Sequence, residues 1–292
     1  MKFNKEELFP AIYLSADAAS NVYQNSFLMY YKLSTASLVI AVMASLDNFE
    51  GRALPIISAI FFLASLGCYA YPKFMRFQES WYMARALAES IKTATWRLLM
   101  SAEPFNSQDK DSNIKTYTDL LSEFLTANKR IASNLESNYS TNSVITEKMH
   151  EILNMTFEDK KKMYQENRIN NQKFWYSFKS GQNRKYSKIF LWLTIIFYCA
   201  SILFLLFRIA EPKLSFLPID IFAILASSMI GWSEMKKFDE LASAYGLTAH
   251  EVGIIDSRYK SVNDPQHLSK FVADSENAFS REHTQWAARR DH

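Results

Sequence analysis

The side chains most able to do chemistry fall into three aromatic and cationic clusters. The first is Trp81-Tyr82 with Arg85, Glu89, Lys92, Trp96 and Arg97. The second is Arg168 and Gln172 ahead of Trp175-Tyr176, and the third is Glu282, His283 and Trp286 followed by Arg289 and Arg290. In the first cluster the residues recur every three or four positions, which stacks them on one helix face. A solvated face does not need tryptophan. Two accounts fit the pattern. In one, the helices pack together and Arg–Glu pairs tie a bundle. In the other, Arg85, Lys92, Arg97, Arg289 and Arg290 form a site for a partner or an anionic trigger, for which guanidinium groups are suited.

Other chemistries find little support. The five histidines are scattered, with no spacing that would hold a metal. Glu282-His283 lacks the second histidine of a zinc-protease motif. There is no phosphate-binding glycine loop, dinucleotide fingerprint or nucleophile elbow. No enzymatic activity, cofactor or metal is therefore expected. Cys68 and Cys199 both fall in uncharged blocks and read as small apolar residues. The net charge of +3, with Lys160-Lys161-Lys162 as the longest basic run, is too mild for a nucleic-acid surface.

A different kind of site is possible inside the uncharged blocks. Ser37, Ala41 and Ser45 recur every fourth residue, as do Ala223, Ser227 and Gly231. Small residues at that spacing let another helix approach closely. They serve either intramolecular packing or a face used for oligomerisation or pore lining. Asp220 shares the second of these faces. It fits a helix cap after Pro218, a pore or packing role, or coupling to an ion or proton.

The elements that must position these residues follow from hydropathy in windows. The mean hydropathy of −0.15 conceals charge-free runs alternating with charged stretches. The runs are Leu33–Leu46, Ala53–Pro72, Ile189–Phe207 and Leu214–Ser233, the last interrupted only by Asp220. About 20 helical residues cross the roughly 30 Å hydrocarbon core. Four spans are expected, at about 33–49, 53–72, 189–207 and 214–233, arranged as two hairpins. Lys and Arg number 3 before the first span, 19 between the second and third, and 8 in the tail, against 1 and 2 in the hairpin loops. The positive-inside rule then puts both termini and the middle region in the cytosol. The first 32 residues carry Lys2, Lys5, Glu6, Glu7 and Asp17 and do not resemble a signal peptide.

Between and beyond the spans the periodicity predicts helices over Lys73–Ala102, Ile114–Leu135, Val144–Gly181, Glu234–Tyr259 and Gln266–Arg289. The fold class expected is an all-α membrane protein, with two transmembrane helical hairpins continued into a cytosolic helical bundle. Its parts are a first two-span unit (1–105), a helical linker region (106–150) and a second two-span unit (151–292).

The clusters also carry a family resemblance. The run from Trp81-Tyr82 through Arg85, Glu89, Lys92 and Trp96 to Pro104-Phe105 resembles the end of one SLATT-type domain. Phe271-Val272 to Glu276, then Ser280–Trp286 with Arg289-Arg290, resembles the end of a second, and Arg168, Gln172 and Trp175-Tyr176 match its entry. The resemblance implies a tandem pair of two-span effectors of bacterial conflict systems. It implies a multi-pass protein of the bacterial inner membrane that oligomerises among membrane lipids. Its activation would open a pore or disrupt the membrane in an infected cell. It also implies a co-encoded partner: a nucleotide-signal synthase, a nucleotide sensor or a reverse transcriptase. The alternatives are a constitutive small channel or transporter, and a non-conducting scaffold that recruits a defence enzyme.

Overall fold

The computed structural model describes residues 5–46, 52–133, 135, 143–213 and 217–288, with side chains described up to residue 280. Every regular element among them is helical. The chain forms two compact units.

The first unit comprises Met1–Gln24, Phe77–Tyr176 and Leu247–His292. Its organising element is α4 (Phe77–Leu99), whose Ala84, Leu87, Ala88, Ile91, Leu98 and Leu99 are buried. That spacing makes a broad apolar stripe. Helices α5 (Lys110–Ala127), α6 (Lys129–Ala132), α7 (Glu147–Leu153) and α12 (Pro265–Ala288) all pack on α4. They fill the core with Tyr117, Ile131, Met149, Ile152 and Val272. The short α1 (Lys5–Leu8) lies on α7, where the Thr146 hydroxyl donates to the Glu7 carbonyl at 2.7 Å. Side-chain oxygens start three of these helices. Asp109 accepts from the amide of Asp111 at α5, Thr146 from Met149 at α7, and Thr156 from Asp159 at α8 (Phe157–Tyr164). Each satisfies an amide that the first helical turn leaves unpaired.

The second unit comprises Asn25–Arg76 and Ser177–Gly246. It holds most of α2 (Ala11–Ser45), all of α3 (Ala53–Phe74), the greater part of α9 (Asn170–Ala210), all of α10 (Ile219–Lys236) and the start of α11 (Phe238–Tyr259). Its apolar side chains point outward. Ile60, Leu63, Leu66, Trp192 and Phe207 are each more than half exposed. A water-soluble domain hides such residues; here hydrocarbon is the fitting solvent. Three stretches are long and apolar enough to cross a membrane: α2, α3 with α4, and the run from α8 through α9. Helix α10 is 18 residues long and includes Asp220, Glu234 and Lys236, so it falls outside that set.

Helices α2 and α3 are antiparallel. The Ser58 hydroxyl donates to the Ala41 carbonyl at 2.8 Å. Two turns further on, the Ser65 hydroxyl donates to the Ser34 carbonyl at 2.9 Å. Helices α9 and α10 meet through the Ser201 hydroxyl on the Ile219 carbonyl, and through Phe197 and Phe204 against Phe222. Without a hydrophobic drive between apolar helices, such hydroxyl–carbonyl bonds and close packing hold them together.

Four expected helices are interrupted. Ile114–Leu135 divides at Asn128 into α5 and α6. Lys73–Ala102 breaks at Arg76, and Glu234–Tyr259 breaks at Lys237 rather than at Gly246. Both residues adopt a left-handed backbone, with φ of 52° and 50°. The expected Val144–Gly181 helix is four pieces: α7, α8, a π-helical turn over Gln165–Ile169, and α9.

Candidate functional site

The first unit gathers charged side chains into its core, where an ion is stable only if paired. Two groups form. In one, α4 presents Arg85, Glu89 and Lys92 on a single face. Arg85 reaches Glu89 at 2.8 Å and Asp17 of α2 at 3.4 Å, and Lys92 reaches the other oxygen of Glu89 at 3.3 Å. Burial pulls the Lys92 ammonium below its ordinary pKa, and the charge of Glu89 opposes that pull.

In the other group, Arg168 in the π-helical turn grips Glu276 of α12 with two parallel bonds, Nε to Oε1 at 2.8 Å and Nη2 to Oε2 at 2.6 Å. The side chains are 3 % and 0 % exposed. Tyr164 donates its hydroxyl to Oε1 of the same carboxylate at 2.9 Å. The Arg168 guanidinium lies 5.0 Å from the centre of the Phe279 ring. Burial alone would lower the pKa of Arg168, but the charge and hydrogen bonds of Glu276 reverse this and raise it. Burial and the neighbouring carboxylate raise Tyr164 well above its usual value. The π-turn matters to this geometry. An extra residue in the turn shifts the facing of Arg168 relative to α8, a feature that commonly marks functional positions.

The first expected cluster makes contacts both within α4 and with neighbouring helices. Trp96 is buried edge-on to Tyr164 at 5.8 Å, and Trp81 stacks on Tyr82 at 4.7 Å. Arg97 bonds Asn277 Oδ1 at 2.6 Å and the Ala273 carbonyl at 3.3 Å, both on α12. Trp175 sets its edge against buried Tyr176, and Gln172 is half-buried. Arg168 is in the core. The side chains of Glu282, His283 and Trp286 are outside the described set, as are residues Arg289 and Arg290. Sequence inspection did not single out Asp17, Tyr164 or Glu276 as site residues. Glu276 had a signal: it interrupts the apolar stripe of α12 between Val272 and Phe279. A charge on a buried stripe requires a partner.

In the second unit the small-residue positions divide. Ala41 is buried under Ser58, Ser37 is half-buried, and Ser45 is exposed and bonds back to Val42. A Cβ at Gly231 would sit 2.8 Å from the Tyr31 hydroxyl, so α2 approaches α10 there because no side chain intervenes. Ala223 is half-buried, and Ser227 is exposed and bonds back to it. Asp220 is exposed in the first turn of α10, where a negative charge suits the helix dipole.

Residues 10–161 match the model of SMODS and SLOG-associating 2TM effector domain 3, which is more than half of the chain. Residues 164–286 match SMODS and SLOG-associating 2TM effector domain 1. The chain belongs to the SLATT family. Comparison with curated proteins and with solved structures gives no match. As a tandem of SLATT effector domains with long apolar helices, it is a membrane protein. The polar core maps onto both domains. Asp17, Arg85, Glu89 and Lys92 come from the first, whereas Arg168 and Glu276 come from the second. The bond from Arg97 to Asn277 joins one SLATT domain to the other within the first unit.

Proposed function

We propose that this chain is a membrane effector of bacterial anti-phage defence, which on activation oligomerises and breaches the inner membrane, arresting or killing the infected cell. In this proposal α2, α3, α9 and α10 each cross the bilayer, as two hairpins. The hairpin tips face outward, and both termini and the first unit lie in the cytosol. Asp220 then sits at the outer end of α10. The trigger comes from a co-encoded nucleotide-signal synthase, nucleotide sensor or reverse transcriptase, or from its product. The chain acts by association and has no catalytic step.

One observation carries the proposal. Helix α9 runs unbroken for 41 residues, and the π-turn that buries Arg168 leads directly into it. Its far part exposes Leu191, Trp192, Ile202, Leu203 and Phe207. One continuous helix carries residues next to the ion-paired core and, further along, an apolar outward-facing segment. A trigger with different affinities for two arrangements of the core shifts the balance between two settings of the apolar segment.

The test is the membrane potential of cells expressing the chain with its genomic neighbours under phage challenge, followed with a voltage-sensitive dye. Depolarisation before lysis is expected. Paired Ala223→Leu and Ser227→Leu substitutions should abolish it by obstructing the small-residue face of α10. Preserved potential with the wild-type protein present would overturn the proposal.

A further inference from the structure

One face of α9 carries an open concavity of about 340 Å³, lined by Lys185, Lys188, Ile189, Trp192, Leu193 and Ile196. All six belong to this single helix, and their spacing of three and four residues makes one stripe. The stripe is graded in chemistry. It begins with two exposed lysines, passes to Ile189 and Trp192, 39 % and 61 % exposed, and ends in Leu193 and Ile196. No acidic residue lies between Glu166 and Glu211, so the helix offers the lysines no counter-charge. Among the described residues neither lysine forms an ion pair.

We propose that this stripe binds one anionic phospholipid. Lys185 and Lys188 hold the headgroup phosphate. The Trp192 indole sits at the polar–apolar boundary, where its amphipathic ring is favoured. An acyl chain lies along Ile189, Leu193 and Ile196. From Lys188 to Ile196 the helix descends about 12 Å at 1.5 Å per residue, enough to follow the upper part of a chain.

Charge chooses the occupant. A second copy related by a two-fold axis along the membrane normal would set this stripe against itself, pressing lysine on lysine. A zwitterionic lipid brings its own ammonium to compete for the phosphate. An anionic headgroup supplies net negative charge and brings no ammonium of its own. The site rests on the proposal above that α9 spans the bilayer, and the test separates the two.

The full chain is reconstituted in phosphatidylcholine vesicles containing phosphatidylglycerol, with bromines on the acyl chains of one lipid or the other. Tryptophan quenching is compared between wild type and Trp192→Phe to isolate the Trp192 signal. Two lysines near the surface should enrich the anionic lipid locally by roughly thirtyfold. Brominated phosphatidylglycerol should therefore quench Trp192 far more strongly than brominated phosphatidylcholine at equal mole fraction. The Lys185→Gln/Lys188→Gln variant, with unchanged helicity, should lose that preference. Equal quenching by the two lipids in the wild type would overturn the lipid site and leave α9 as a span. Preference retained in the lysine variant would overturn the role of the lysines. Absence of quenching by either lipid would overturn both the site and the span.

Discussion

Arg168 and Glu276 bury a full charge each, and what keeps them in the core is their mutual geometry. The two parallel bonds of 2.8 and 2.6 Å and the third from Tyr164 replace most of the lost hydration. The pair is better described as fixing an arrangement than as adding stability, because an apolar pair of similar volume would pack there without the desolvation cost. The two halves of that statement are separable. Glu276→Gln strands the guanidinium in the core and should cost about 3–5 kcal/mol. The double change Arg168→Met with Glu276→Leu should recover most of that loss. Thermal unfolding of the purified protein followed by helicity checks both, and a double variant no more stable than Glu276→Gln would refute the account. The sequence made the members of such pairs partly legible. Arg85, Glu89 and Lys92 share a face of one helix, so their pairing follows from periodicity. The partner of Arg168 stands more than a hundred positions away, and although Glu276 is marked as a charge on an apolar stripe, no local pattern matches it to Arg168. Tyr164 looks like any other aromatic residue until the π-turn brings it to the carboxylate.

At the scale of elements, what the sequence revealed well was composition, and what it concealed was the breaks. Charge-free runs located α3 and the apolar part of α9 closely, because length and hydropathy are set by the bilayer. Arg76 and Lys237 end helices in a left-handed backbone normally marked by glycine, and a basic residue gives no such signal. They recur at equivalent places, after α3 and after α10, so the repeat of the two SLATT domains is visible in backbone geometry. The starts at Thr146 and Thr156 were legible in principle. A threonine three residues before an acid, as in Thr156 and Asp159, is a helix-start signature of the capping-box type. Of the small-residue positions, Ala41 and Gly231 lie where helices meet while Ser45 and Ser227 are exposed, and spacing alone does not tell these apart. Gly231 decides one case. Gly231→Ala should push the Tyr31 hydroxyl, the far end of its side chain, aside and cost about 1 kcal/mol, the low end for overpacking. Tyr31→Phe removes the atom in the way, so Gly231→Ala/Tyr31→Phe should regain part of the loss. Thermal stability in detergent measures this. If Gly231→Ala leaves stability unchanged while altering only oligomer size, Gly231 serves an external contact instead.

For the whole molecule, the compact units do not follow the family boundaries. Each SLATT domain contributes to both units, because the chain sorts its residues by solvent: ion-paired and amphipathic helices in one unit, outward-facing apolar helices in the other. The units should then answer differently to pH. The first holds four phenols, Tyr13, Tyr117, Tyr164 and Tyr259, whose pKa values burial raises above the usual range. Tyr117 shows why the proton matters. Thr95 spends its own hydroxyl proton on the Ile91 carbonyl, so the 2.8 Å contact needs Tyr117 as donor. A raised folded pKa means that the unfolded chain releases the proton first. The stabilisation is complete below about pH 10 and is lost as pH climbs from there toward the folded values. Lys92 and Lys160 act oppositely. Burial lowers both, so the unfolded chain holds their protons more tightly, and stability rises with pH until the unfolded lysine value of about 10.4. The first unit should therefore gain stability as pH rises toward about 10 and lose it above that. Lys92→Met should flatten the rise, and Tyr117→Phe should soften the fall. The second unit, whose apolar side chains face outward, should keep its helicity across the same range. Hydrogen exchange resolved by segment, in lipid, distinguishes them. Protection should vanish at high pH over Phe77–Leu99 while persisting over Ile189–Phe207, and simultaneous loss in both segments would show that the two units melt as one.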